Sequence, residues 1–125
     1  MPEVEFDRLA ALLRGGRYAE LASALEGAET ALLAAGWQGL SPLEKLVFFK
    51  LMEGPRAMGL YARLPFKEKY FLLCGFPLQA IAPVLETLSP SERRLFVSLP
   101  RECYDRMFRQ VVSERVEFDF TVRKN

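Results

Sequence analysis

The 125-residue sequence contains no histidine and only two cysteines, Cys74 and Cys103. Without imidazole, nucleophile–base pairs of the Ser–His or Cys–His kind and metal sites built on histidine are excluded. Two thiols are too few for a zinc site or a disulfide framework, and both are expected to be reduced. Net charge is nearly absent too. Seventeen Lys and Arg against sixteen Asp and Glu leave +1, so no global field draws the protein toward nucleic acid or an anionic membrane. No apolar run approaches the ~20 residues of a bilayer span, and the acidic start Pro2-Glu3-Val4-Glu5 lacks the positive segment of a signal peptide. There is no Gly-rich phosphate loop and no CxxC spacing. The expectation is a cytoplasmic, non-catalytic protein with no cofactor, no metal site and no membrane insertion.

What is present is the composition of an ordinary globular domain, half hydrophobic and about a quarter charged. The length suits one domain, residues 1–125, in three parts: N-terminal helices over 1–39, three helix-pair units over 40–112 and a C-terminal strand or tail over 113–125. Asp7 is placed to cap a first helix carrying Leu9, Leu12 and Leu13, with Gly15-Gly16 as its stop. Tyr18, Leu21, Ala22 and Leu25 line a second helix ending at Gly27. An alanine-rich third helix closes at Gly36, beside Trp37, which is expected to anchor the core.

From Leu40 the chain repeats every 24 residues. Leu40, Leu64 and Leu88 fall in line, as do Glu44/Glu68/Glu92 and Lys45/Lys69/Arg93. So do the apolar sets Val47/Phe71/Leu95, Phe48/Leu72/Phe96, Phe49/Leu73/Val97 and Leu60/Val84/Phe108. Such a unit holds two short helices and their turns. Ser41-Pro42-Leu43-Glu44 and Ser89-Pro90-Ser91-Glu92 supply a serine N-cap, a proline at N1 and a glutamate at N3, which together predict helix starts. The middle unit keeps Glu68 but has Pro65 in the serine's place. Pro55, Pro77 and Pro100 introduce the second helix of each unit, and Pro83 predicts a start or a kink in the middle one.

After Ser113 the apolar period changes to two: Val116, Phe118, Phe120 and Val122 alternate with polar residues, which predicts a strand. A lone strand leaves its backbone groups unpaired. Val4-Glu5-Phe6-Asp7 repeats the residue types of Val116-Glu117-Phe118-Asp119 and is the expected mate, within one chain or between two. Such pairing gathers Glu3, Glu5, Asp7, Glu114, Glu117 and Asp119 into an acidic edge able to hold a hard cation, although a solvated edge that discourages aggregation is the commoner role.

Elsewhere, Cys103 lies between Arg101 and Arg106, where a thiol can be activated, but cysteine is more often a packing residue, as Cys74 in Phe71-Leu72-Leu73-Cys74 is expected to be. Lys45, Lys69 and Arg93 form either a basic ladder or a solvated ion-pair edge. Phe66 and Tyr70 lack apolar equivalents in both neighbouring units and are candidate interface anchors or core filling.

Two families share features with the chain. Leu40-Ser41-Pro42-Leu43-Glu44, with Val47, Leu51 and Gly54, resembles the entry to helix-turn-helix domains of sigma-factor or response-regulator type, although Tyr61 stands where that family needs a small alanine. The stretch from Leu9 to Val112 resembles the cytoplasmic N-terminal domain of MgtE-type magnesium transporters and, more distantly, helical segments of the flagellar motor switch protein FliG. The likeness is carried by the Leu-Ser/Pro-Pro-x-Glu units and by Leu9-Ala10-Ala11-Leu12-Leu13-Arg14-Gly15-Gly16-Arg17-Tyr18. It implies a right-handed superhelix of short helices that regulates by docking on another domain. Arginines and aromatics stand where that family is acidic, so magnesium binding is assigned to no residue.

The resulting expectation is an all-α, α-solenoid-like superhelix of 24-residue helix pairs with a short terminal β-strand. Its function is protein–protein interaction or regulation, quite naturally as a homodimer, through Val4, Phe6, Phe66, Tyr70, Val116, Phe118, Phe120 and Val122. The alternatives are a helix-turn-helix-like nucleic-acid binder using Arg93, Arg94, Arg101, Arg106 and Arg109, and a divalent-cation sensor using the terminal carboxylates.

Overall fold

A computed structural model describes the backbone of residues 2–124 and the side chains of residues 5–115. Among these the regular structure is entirely helical. The helices are α1 (Pro2–Arg14), α2 (Tyr18–Gly27), α3 (Thr30–Gly36), α4 (Pro42–Lys50), α5 (Gly54–Arg63), α6 (Phe66–Cys74), α7 (Ala82–Leu85), α8 (Pro90–Arg93) and α9 (Arg101–Lys124). Single 3-10 turns extend α3 over Trp37–Gly39, precede α7 over Leu78–Ile81 and follow α8 over Arg94–Val97.

The strands expected at the two ends are helices instead. Val4–Asp7 lies inside α1, and the segment from Val116 to Val122 continues α9. The physical reason is backbone satisfaction: a helix pairs its amides within its own segment, whereas a strand depends on a mate. Asp7 is therefore a mid-helix residue and not a cap. Phe6, Leu9, Ala10 and Leu13 are buried along one face of α1 at helical spacing. The helix stops where Gly16 adopts φ +71°. There the Arg17 amide donates to the Leu12 carbonyl at 2.9 Å and the Gly16 amide to Leu13 at 3.1 Å, the paired bonds of a Schellman end.

The 24-residue period is visible in the element boundaries, since α4, α6 and α8 begin at Pro42, Phe66 and Pro90. Both serine starts form complete capping boxes. Ser41 Oγ accepts from the Glu44 amide while Glu44 accepts from the Ser41 amide, and Ser89 and Glu92 do the same. In the middle unit Pro65 is the N-cap and makes no side-chain cap. Proline has no amide hydrogen for Glu68 to accept, so that carboxylate is free to bond elsewhere. Pro83 sits in the first turn of α7, where its missing donor costs nothing.

Helix α4 is the centre of the molecule. Every residue from Lys45 to Met52 is buried, the pattern of a helix covered on all sides. Around it, α1 packs on α2 and α3, α3 on α5, and α9 on α5 and α6. Trp37 is fully buried edge-on to Phe48, with ring centroids 6.2 Å apart. Tyr61, also fully buried, donates its hydroxyl towards the carbonyls of Lys69 at 3.0 Å and Met107 at 3.3 Å, tying α5 to α6 and α9.

One close approach yields a direct test. A Cβ placed on Gly36 comes within 2.4 Å of Phe6 Cγ, so glycine at this position is what lets α1 lie against α3. Gly36→Ala is expected to displace the Phe6 ring and cost about 1–3 kcal/mol in urea unfolding. Wild-type stability in that variant would show that the ring does not rest on Gly36.

Candidate functional site

Repeat-equivalent positions do not share the same surroundings. The set Phe48, Leu72 and Phe96 is buried in all three units. Phe49 is 2% exposed, but its third-unit equivalent Val97 is 65% exposed, and Leu60 at 0% corresponds to Phe108 at 49%. The first unit is covered by neighbouring helices, whereas these positions of the third are uncovered among the described residues. On α9, Cys103, Met107 and Val111 face inward while Phe108 and Val112 stand exposed. The Phe108 ring stacks on the half-buried Tyr104 with centroids 6.3 Å apart. The third unit therefore carries exposed apolar side chains at positions that a repeat array ordinarily covers with a neighbour or makes polar.

Beside this face lies an open cleft of about 390 Å³, lined among others by Lys50, Phe76, Leu78, Leu99, Arg101 and Tyr104. Lys50 comes from the end of α4, Phe76 and Leu78 from the segment after α6, and Arg101 and Tyr104 from the start of α9. Lys50 is only 4% exposed. Its Nζ donates to the Phe76 carbonyl and lies 5.6 Å from the Phe76 ring centroid. No carboxylate lies within ion-pair distance of it among the described residues. Burial accordingly pushes the Lys50 ammonium down to about 8.

The other buried lysines have counter-ions. Lys45 pairs with Glu68 at 2.7 Å, and the same Glu68 oxygen accepts from Trp37 Nε1 at 2.7 Å. Lys69 pairs with Glu114, joining α6 to α9. The repeated cations thus include two inter-helix ties inside the protein, not a solvated edge. Arg93 is exposed and donates to the Leu85 carbonyl at 3.1 Å. Arg14 bonds Glu44 at 2.9 Å, which holds that carboxyl below its ordinary range.

The sequence candidates are scattered. Phe6 is 7% exposed and packs 5.9 Å from the Phe48 ring, so it belongs to the core. Phe66 is half-buried, and Tyr70 is 48% exposed with its ring 6.3 Å from that of Phe66. The side chains of Val4, Val116, Phe118, Phe120 and Val122 lie outside the described residues. Cys74, expected to pack, is exposed. Cys103 is buried, and desolvation pushes its thiol up, away from a reactive thiolate.

With the termini in α1 and α9, the strand pairing that was to gather the acidic edge does not form. Among the described residues no group of three or more His, Cys, Asp or Glu is placed to hold a metal ion. Arg93, Arg94, Arg101, Arg106 and Arg109 are all exposed. Yet α5, the helix that would enter a DNA groove, packs against both α3 and α9 and buries Tyr61. No helix of the described residues is long and apolar enough to cross a membrane. Sequence reasoning missed Lys50 and Val97; the repeat placed Val97 with Phe49, and only the difference in what covers the two positions distinguishes them.

Comparisons with protein-family models, curated proteins and solved structures gave no match.

Proposed function

We propose that the chain is a non-catalytic protein–protein interaction or regulatory module of the cytoplasm, a short right-handed superhelix whose exposed third-unit face associates with a second copy. The observation that carries this reading is the change along the repeat. Positions covered in the first unit, Phe49 and Leu60, correspond to the uncovered Val97 and Phe108 in the third. A repeat array buries its apolar faces against neighbouring units, so the surface that fits these exposed positions best is another unit of the same kind. The resemblance to the MgtE N-terminal domain, which works by docking, agrees with this use of the fold.

The test is the solution mass by light scattering. Wild-type protein is expected at twice 14.2 kDa, and Phe108→Glu at the monomer mass with unchanged helical circular dichroism, because a desolvated carboxylate at the centre of the contact is unfavourable. A monomeric wild type, or a Phe108→Glu variant that remains dimeric, would remove the proposal.

A further inference from the structure

The Lys50 cleft has a chemistry of its own, distinct from apolar association, although Val97 of the proposed association face also lines it. A buried ammonium with no carboxylate beside it is costly unless it is paired. Among the described residues, one of its three donors is used, in the bond to the Phe76 carbonyl. The two other buried lysines, Lys45 and Lys69, each have a glutamate, so Lys50 is the exception within one protein. It is also the one of the three that lines this apolar cleft, in which Arg101 adds a second positive charge. The rest of the lining is apolar or aromatic and includes Phe76, Leu78, Phe96, Val97, Leu99 and Tyr104. Phe76 and Tyr104 meet edge to face with centroids 5.2 Å apart, which gives the cleft a firm aromatic wall. Its volume of about 390 Å³ is in the size range of small-molecule sites.

We propose that this cleft binds a small amphiphilic carboxylate, with the carboxylate held by Lys50 and Arg101 and the apolar part against Phe76, Leu78 and Leu99. The carboxylate supplies the missing counter-ion, and the tail removes apolar surface from water. The lowered proton affinity of Lys50 agrees with this, since it reflects desolvation with no anion to offset it. A cationic amphiphile is excluded by like charge. A neutral one gains only the apolar contact.

Octanoate, 1-octanol and octylammonium are the probes, titrated calorimetrically into wild-type protein and into Lys50→Met, Arg101→Gln and Phe108→Glu. Octanoate is expected to bind at least about tenfold more tightly than octanol, and octylammonium not at all. Lys50→Met and Arg101→Gln should each weaken octanoate about tenfold, with octanol unchanged in Lys50→Met. Arg101 is exposed, so its substitution reports on binding without disturbing the fold. Phe108 lies outside the cleft lining while Val97 belongs to both surfaces, so Phe108→Glu should bind octanoate at least as tightly as the wild type; reading its binding and its solution mass separately keeps failure of the site apart from failure of association. Equal affinity for octanoate and octanol, undiminished octanoate binding in both cleft variants, or no binding in the millimolar range would overturn the proposal.

Discussion

Lys50→Met is expected to be more stable than the wild type at neutral pH by about 2 kcal/mol, with Tm higher by several degrees. Lys50 titrates near 8 in the folded protein against an ordinary value of 10.5. That difference corresponds to about 3 kcal/mol of unfavourable burial at neutral pH, since each pH unit is about 1.4 kcal/mol. Losing the bond to the Phe76 carbonyl returns about 1 kcal/mol of it. Methionine keeps the unbranched shape that fills the end of α4.

The pH dependence distinguishes this cause from a general packing effect. Between pH 8 and 10.5 the unfolded chain still holds the Lys50 proton that the folded protein has released, so stability from this group rises with pH in that window. Below pH 8 both states are protonated and the cost is constant; above 10.5 both are neutral and it vanishes. Tyr61, Tyr18 and Cys103 act in the opposite direction, because burial raises each in the folded state and the unfolded chain ionises first. They are present in both proteins, so they cancel in the difference. The gap between Lys50→Met and wild type, followed by urea unfolding from pH 7 to pH 10, should be constant up to about 8 and then close. A gap that does not change with pH would show that the charge of Lys50 is not its source.

Glu114→Ala is expected to destabilise the protein by about 2–3 kcal/mol. Lys69 is 5% exposed and its ammonium is paired with Glu114 across α6 and α9. Removing one partner of a buried pair leaves an uncompensated charge, at a typical cost of about 3–5 kcal/mol. The Glu114 side chain is 34% exposed, so water offsets part of that loss. Replacing both partners should cost much less, because an apolar side chain needs no counter-ion. Denaturant unfolding of Glu114→Ala, Lys69→Met and the double variant Lys69→Met/Glu114→Ala measures this directly, and the double variant should recover most of the stability lost in Glu114→Ala. If it is as unstable as Glu114→Ala, the cost does not come from the stranded lysine. The wild-type pair should also change little between low and high salt, since ions screen buried charges weakly. Shortening the chain to Ser113 breaks this same pair, so a truncation confounds folding with association in a way that Phe108→Glu does not.

The legible features were those decided by residues close in sequence. The capping boxes at Ser41 and Ser89 need only a serine and a glutamate three positions on. Gly16 ends α1 through its own backbone freedom. The repeat from Leu40 predicted the starts of α4, α6 and α8 because one pattern of caps and apolar residues recurs there. The termini were misread where two periods compete. Val116 to Val122 alternates as a strand does, but α9 reaches it already formed, with Cys103, Met107 and Val111 at helical spacing on its inner face. Extending a helix adds a bond per residue, whereas starting a strand requires a mate. At the other end, the spacing of Phe6, Leu9, Ala10 and Leu13 is itself helical and was the available signal.

By itself the sequence determined a predominantly helical chain, the period of its units and the chemistry of their starts, because each depends on neighbours within a turn or two; the ends it read as strands are helices. Only the tertiary structure decided which of three equivalent units would be interior, which lysine would lack a counter-ion and where apolar side chains would remain uncovered. Lys45, Lys50 and Lys69 are alike as residues; they differ in what other helices bring to them, Glu68, the Phe76 carbonyl and Glu114. Those partners lie more than twenty residues away, and burial is a property of the faces that meet, which no local spacing encodes.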